Sequence, residues 1–244
     1  MKLEDEMDAH AVEAYPEEAC GVVLRVAGVS SYHRMKNVHP DPTRGFRMDP
    51  AQYFERGELA GVFHSHPDGN PYPSLVDMRG QVETDVPWRI SVVRALPRGI
   101  TDSFWWGRGR PHIPLLGRPF RHGVTDCYAL VRDYYEERGV LLPEYPRSWR
   151  WWKDRGTLYA DNLGGAGFHP ISDGEVREGD MCVAQIHSPT PNHAGVYLGR
   201  GLILHHISGG KPFDRSRLSA RAPISLLRNY GPRWYRHRDL ETVP

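Results

Sequence analysis

The stretch "HSHPDGNPYPSLVD", residues 64–77, places His64 and His66 at alternate positions ahead of a Pro/Gly-rich loop, with Ser74 and Asp77 three residues apart beyond it. In an extended segment alternate side chains share one face, so both imidazoles point to the same side. Asp77, eleven residues after His66, can be returned by a short helix as a third ligand. Two neutral imidazoles and a carboxylate suit a zinc ion with one position left open, and an open position means chemistry. Such a centre needs a carboxylate base, and "PEEACG" upstream offers Glu17 and Glu18.

A second set lies in the other half. "GVTDCYALVRDYY" puts Cys127 in the first turn of an expected helix, where backbone N–H groups and the helix dipole favour the thiolate. A nucleophilic thiolate needs an imidazole to hold its proton and a polar group to orient that imidazole. "NHAGVYLGRGLILHH" supplies candidates: His193 opens one strand and His205 closes the next, with His206 as a rival to His205. Cys20 and Cys182 sit in apolar strands and read as buried and inert. His122, His169, His187 and His237 have no partner pattern and read as surface or loop. Trp149, Trp151 and Trp152 suit either a substrate groove or packing.

The elements that must position these groups can be read from pattern. Leu3, Met7, His10, Ala11 and Ala14 form a helical stripe ended by Pro16. "CGVVLRV", "LAGVFHSHP" and "RISVVRA" read as strands, with a helix over 75–85. Gly, Pro and Arg accumulate near 107–120, which sets domains at 1–108 and 121–244 around a 109–120 linker. Thr125 or Asp126 caps a helix with 127, 130, 131 and 134 on one face, stopping by Gly139. An irregular Trp-rich stretch runs to about 170, followed by the strands "DMCVAQI", "HAGVYLG" and "LILHHI". The fold class is therefore α+β, in two domains.

With 244 residues, 39% hydrophobic and 25% charged, the chain has the composition of a globular protein. A net charge of +1 argues against nucleic acid as a partner. No run approaches a membrane span, and the acidic "MKLEDEMDAH" lacks the apolar stretch of a secretion signal, so synthesis in a cytoplasm is expected. Three scattered cysteines make neither a disulfide framework nor a thiolate zinc site.

"EEACG", "HSHP", Ser74 and Asp77 together resemble the JAMM (Mov34/MPN) metalloprotease pattern. That resemblance implies an α/β/α domain in which His64, His66 and Asp77 hold Zn2+. Glu18, three residues before Gly21, would be the general base, and Ser74 the support for the oxyanion. The Asp-Cys at 126–127, "HAGVYLG" and a second His twelve residues after His193 resemble the NlpC/P60 cysteine peptidases. This implies a papain-like domain with Cys127 as nucleophile, His193 as base and His205 as orienting residue. Tyr128 stands where that family usually has a small residue, which leaves substrate preference open.

The two halves joined by "LLGRPFRHGVTDCYALVRDYY" resemble the tail-tip assembly proteins of long-tailed bacteriophages. That implies a virion component made in the host cytoplasm and carried to the cell wall, with other phage tail-tip proteins and peptidoglycan stem peptides as partners. The rival readings are a structural tail-tip module with little hydrolytic activity, and a cellular peptidase sharing only the domains.

Overall fold

Alternate residues of strand β1 (Cys20–Val26) enter two different cores, because successive side chains of a strand point to opposite faces. Val23 joins Met7, Ala11, Ala19, Tyr32, Phe63 and Val93 on one side, whereas Cys20, Val22 and Leu24 pack with Met35 on the other. A strand buried on both faces belongs inside a layered sheet. The computed structural model describes residues 2–241 except 54 and 155, and the chain divides into two units, Met1–His112 and Ile113–Pro244.

The first unit runs α1 (Leu3–Ala14), β1, β2 (Val29–Met35), β3 (Glu58–Pro67), α2 (Leu75–Thr84), β4 (Trp88–Ala95) and β5 (Arg98–Trp106). The sheet order is β2-β1-β3-β4-β5. Among the described residues of this sheet only β3 and β4 pair in parallel, as the α2 crossover between them requires. Met7 and Ala11 of α1 close the Phe63 face. His64 is one residue from Phe63, so the same pleat that buries Phe63 turns His64 to the opposite face, opposite Cys20.

The second unit contains β6 (Pro119–Arg121), α3 (Cys127–Glu136), α4 (Leu158–Asn162), β7 (Phe168–Ile171), β8 (Met181–Ala184), β9 (His193–Tyr197), β10 (Leu202–His205), β11 (Phe213–Leu218), β12 (Ala220–Pro223) and β13 (Arg233–His237). Six strands form an antiparallel sheet in the order β12-β10-β9-β8-β13-β7, while β6 pairs with β11. Leu130, Val131, Tyr134 and Tyr135 of α3 lie against Met181, Val183, Ala194, Val196 and Leu204. The opposite face buries Cys182, Ala184, Ile203 and Trp234, so Cys182 is packed and inert as its neighbours suggested.

Register decides how the histidines meet. His205 pairs with Gly195, which places His193 and His205 on one face of adjacent strands, offset by two residues. Gly195 is required by close approach: a Cβ there would lie 2.8 Å from Ile203 Cδ1 and 2.8 Å from the Leu204 carbonyl. Gly195→Ala should therefore cost about 1–3 kcal/mol through overpacking. Urea denaturation checks this, and an unchanged midpoint would show that β9 and β10 yield freely.

Two candidate active sites

In the first unit β3 and α2 bring three predicted ligands together. His64 Nε2 and His66 Nε2 are 3.0 Å apart. Asp77 Oδ1 is 3.3 Å from His64 Nε2, and Oδ2 is 3.6 Å from His66 Nε2. One ligand atom from each residue falls within 4.8 Å of the others, a spacing that one ion can span. His66 Nδ1 donates to the Asn70 carbonyl at 2.7 Å, which fixes its tautomer and leaves the Nε2 lone pair facing the cluster. His64 is fully buried, stacked on Phe46 at 4.5 Å with Trp88 edge-on at 5.7 Å. Two imidazoles and a carboxylate converging inside an aromatic wall fit a divalent metal of the zinc type.

Local structure explains the return of Asp77. Ser74 is the N-cap of α2, its hydroxyl accepting from the Asp77 N–H at 3.1 Å, and Asp77 Oδ2 accepts from the Ser74 N–H at 2.6 Å. This reciprocal capping box fixes the carboxylate one turn into the helix and aims it at the histidines. Burial would raise the Asp77 carboxyl, but the two imidazoles hold it well below the usual carboxylate range. Burial lowers His64. Burial, the largest single influence, opposes the charged form of His66, yet the hydrogen bond and charge of Asp77, the Asn70 carbonyl and Glu18 together outweigh it and raise that imidazole.

Glu18 is half-buried while Glu17 is exposed. Burial pushes the Glu18 carboxyl up to about 7; His66 opposes this and Asp77 adds to it, as a carboxyl close to the cluster would show. Its backbone is anchored by the Asn37 amide at 3.0 Å and by the Pro42 carbonyl at 2.7 Å.

In the second unit Cys127 and His193 line one pocket of about 400 Å³, together with Asp126, His122, Trp149 and Trp152. Trp149 and Trp152 thus face the cleft, whereas Trp151 packs against the core and Tyr159. The His193 and His205 rings meet edge to face at 5.5 Å. Among the described residues His193 Nε2 and His205 Nδ1, both buried, have no hydrogen-bond partner. His206 is engaged elsewhere: Nδ1 lies 2.5 Å from the Thr125 carbonyl and Nε2 3.0 Å from the Arg217 carbonyl. Of the two rivals, His205 is therefore the one placed against His193.

The protonation state differs from the sequence expectation of a thiolate. Cys127 does open α3, but burial, reinforced by the Asp126 carboxylate, pushes its thiol up to about 11. Burial also pulls His193 down to about 3. The resting pair is a neutral thiol and a neutral imidazole, because desolvation here outweighs the pull of the helix N-terminus.

Two histidines read as surface or loop are buried instead. His122 occupies a turn but is 3% exposed, with Nε2 at 3.0 Å from the Arg147 carbonyl. His237 is 3% exposed at the end of β13, its Nε2 2.8 Å from the Ala166 carbonyl. His169 and His187 are exposed as expected.

Sequence reasoning missed the charge network behind Cys127. Asp126 caps α3 through the Ala129 N–H at 3.0 Å and also accepts from the Gly123 N–H at 2.8 Å. Arg147 Nη2 donates to Asp126 at 2.7 Å and Nη1 to Glu144 at 2.7 Å. Burial alone would raise the Asp126 carboxyl, but the Arg147 guanidinium beside it holds it far below the usual range. No local signal marks Arg147, which lies in the irregular Trp-rich stretch.

Residues 1–106 match the family of prokaryotic homologs of the JAB domain, and residues 117–223 match the NlpC/P60 family. The fold and the sites thus define a JAB domain fused to an NlpC/P60 domain. Tail tip assembly protein K of Escherichia phage N15 is 33% identical over 239 residues, covering 96% of this chain and 90% of that protein. The protein of the same name from Escherichia phage lambda is 39% identical over 163 residues, covering 66% of this chain and 77% of its own length. The chain belongs to the family of phage tail tip assembly protein K. A probable endopeptidase of Mycobacterium tuberculosis is 25% identical over 142 residues, 58% of this chain and 29% of that protein.

Removing one partner of a buried ion pair leaves an uncompensated charge, so Arg147→Met should cost about 3–5 kcal/mol. Urea denaturation reads the loss. A cost below about 1 kcal/mol would place Arg147 among ordinary surface pairs.

Proposed function

We propose that this protein is a tail-tip component that cuts peptide stems of peptidoglycan at Cys127 and carries a second, zinc-dependent amide or isopeptide hydrolase site at His64, His66 and Asp77. The observation that carries the first activity is the shared pocket of Cys127 and His193, with the His205 ring packed edge to face on His193. The supporting comparisons are the NlpC/P60 match and the K proteins of two phages.

The protonation states dictate the order of events. His193 is neutral at rest, so it can take the Cys127 proton as sulfur attacks the substrate carbonyl. The carbonyl oxygen becomes an oxyanion beside the Cys127 N–H, which as a first-turn donor has no intrahelical acceptor. His193 then gives its proton to the departing amine, leaving a thioester on Cys127. Water, deprotonated by His193, attacks that thioester and frees the acid and the thiol. His205 acts by orienting His193, its ring packed edge to face against that imidazole at 5.5 Å.

Bound between His64, His66 and Asp77, zinc supplies a Lewis acid for amide hydrolysis. Glu18, its carboxyl near 7, can hold and release a proton near neutral pH. Ser74 is exposed at the start of α2, and its hydroxyl hydrogen is available to an oxyanion even while its oxygen caps the helix. The chain would be made in the host cytoplasm and reach the wall in the virion, assembled with other tail-tip proteins.

Incubation with purified peptidoglycan, with stem-peptide products followed by mass spectrometry, tests the thiol activity. Cys127→Ala should lose at least about a thousandfold of the rate; digestion by this variant at the parent rate would overturn the thiol mechanism, and no digestion by the parent would leave a structural tail-tip module. Zinc titration by calorimetry tests the other half. The parent should take up a single zinc ion and Asp77→Ala should bind at least about tenfold more weakly; equal affinity would remove these residues as ligands.

A further inference from the structure

The geometry points to Tyr159 as an additional catalytic residue of the cysteine site, its phenol donating a hydrogen bond to the Cys127 sulfur and stabilising the thiolate. This rests on the reading of Cys127 as nucleophile and extends it to a residue that no motif marks. Tyr159 is the second residue of α4, beyond the Trp-rich segment and 32 residues along the chain from Cys127.

Cys127 Sγ lies 3.7 Å from the Tyr159 hydroxyl and 4.0 Å from the Asn192 carbonyl, and it also receives the Ala194 N–H. At rest the thiol can donate to the Asn192 carbonyl. Once its proton has gone to His193, that carbonyl repels the sulfur, as does the neighbouring Asp126 carboxylate. The anion then depends on donors, which are the Ala194 N–H on one strand and the Tyr159 O–H on α4. Hydrogen bonds to an ionised group are about twice as strong as neutral ones, so the Tyr159 contact strengthens as the thiolate forms.

Tyr159 is held for this task. It is 4% exposed, with its ring edge-on to Tyr128 at 6.1 Å and to Trp151 at 5.9 Å. Burial raises its phenol well above the ordinary value, so it remains a donor throughout the working range. The hydroxyl's hydrogen bond among the described residues is the one to Cys127, which sets it apart from Tyr128, whose hydroxyl donates to the Pro143 carbonyl at 2.8 Å.

Alkylation of Cys127 by iodoacetamide across the alkaline range, with the modified residue identified by mass spectrometry, tests this without using hydrolysis. Losing one charge-assisted hydrogen bond should move the thiol up by about one pH unit, cutting the thiolate about tenfold below that point. The more basic thiolate is intrinsically more nucleophilic, so the net fall in rate for Tyr159→Phe is about three- to tenfold. Tyr128→Phe, which removes a structural hydroxyl, should alkylate at the parent rate. Tyr159→3-fluorotyrosine keeps the ring and makes a stronger donor, so it should alkylate faster than the parent even if Tyr159→Phe folds poorly.

A folded Tyr159→Phe with the parent pH profile overturns the assignment, and so does a 3-fluorotyrosine variant no faster than the parent. Hydrolysis by Cys127→Ala at the parent rate would instead defeat the nucleophile reading, while the alkylation profiles still decide whether Tyr159 tunes the thiol.

Discussion

Each candidate site is organised by an aspartate at a helix N-terminus whose two oxygens serve the backbone and the site together. Asp77 accepts from the Ser74 N–H with Oδ2 while both oxygens face the imidazoles. Asp126 caps α3 with Oδ1 and uses Oδ2 for the Gly123 N–H and Arg147. The helix end supplies N–H groups that need acceptors, and the carboxylate needs partners if it is to stay charged away from water. Meeting both needs with one side chain leaves little freedom in its position. Geometry at the first turn is thereby transferred to His64 and His66 in one unit and to Cys127 in the other.

Desolvation governs the chemistry of both places, with opposite results for different groups. It raises carboxyls and thiols and lowers imidazoles. Thus Glu18 comes to about 7, Cys127 to about 11 and His193 to about 3. The carboxylates that must stay ionised are those given cationic or imidazole partners, Asp126 by Arg147 and Asp77 by His64 and His66. Burial alone therefore does not distinguish the groups that carry protons from the groups that carry fixed charge. The presence of a buried partner does.

The parts of these sites that were legible in the sequence are the parts encoded by short-range pattern. The alternation of His64 and His66, the return of Asp77 by α2, and Cys127 at a helix start each follow from a local period, and α1, β1, β3 and β4 follow from apolar spacing. Strand β2, "VSSYHRM", was not legible because it is an edge strand with only Tyr32 and Met35 buried. The same holds for β11, whose exposed residues give no alternation. Arg147 and Tyr159 lay beyond reach for another reason: they sit in or next to irregular backbone, and their partners are 21 and 32 residues away. The burial of His122 and His237 is likewise set by distant carbonyls, those of Arg147 and Ala166. The thiolate expectation failed because a helix N-terminus is visible in sequence while the water excluded from it is not.

A neutral resting thiol also suits a nucleophile that must wait. Oxidation and adventitious alkylation act on the thiolate, so a Cys127 thiol pushed up to about 11 is shielded from both at neutral pH. The cost is that catalysis, as proposed, cannot rely on a standing ion pair and would have to move a proton to His193 during attack. His193 is low in basicity for the same reason that Cys127 is weakly acidic, so the proposed transfer would need the charge it creates to be met at once, the sulfur's by donors already in position. Preorganised donors in a dry pocket provide that without reorganisation of solvent. Aromatic packing around Tyr128, Trp151 and Tyr159 is thus more than filler for the core, since it fixes the dipoles on which a buried thiol depends when it ionises.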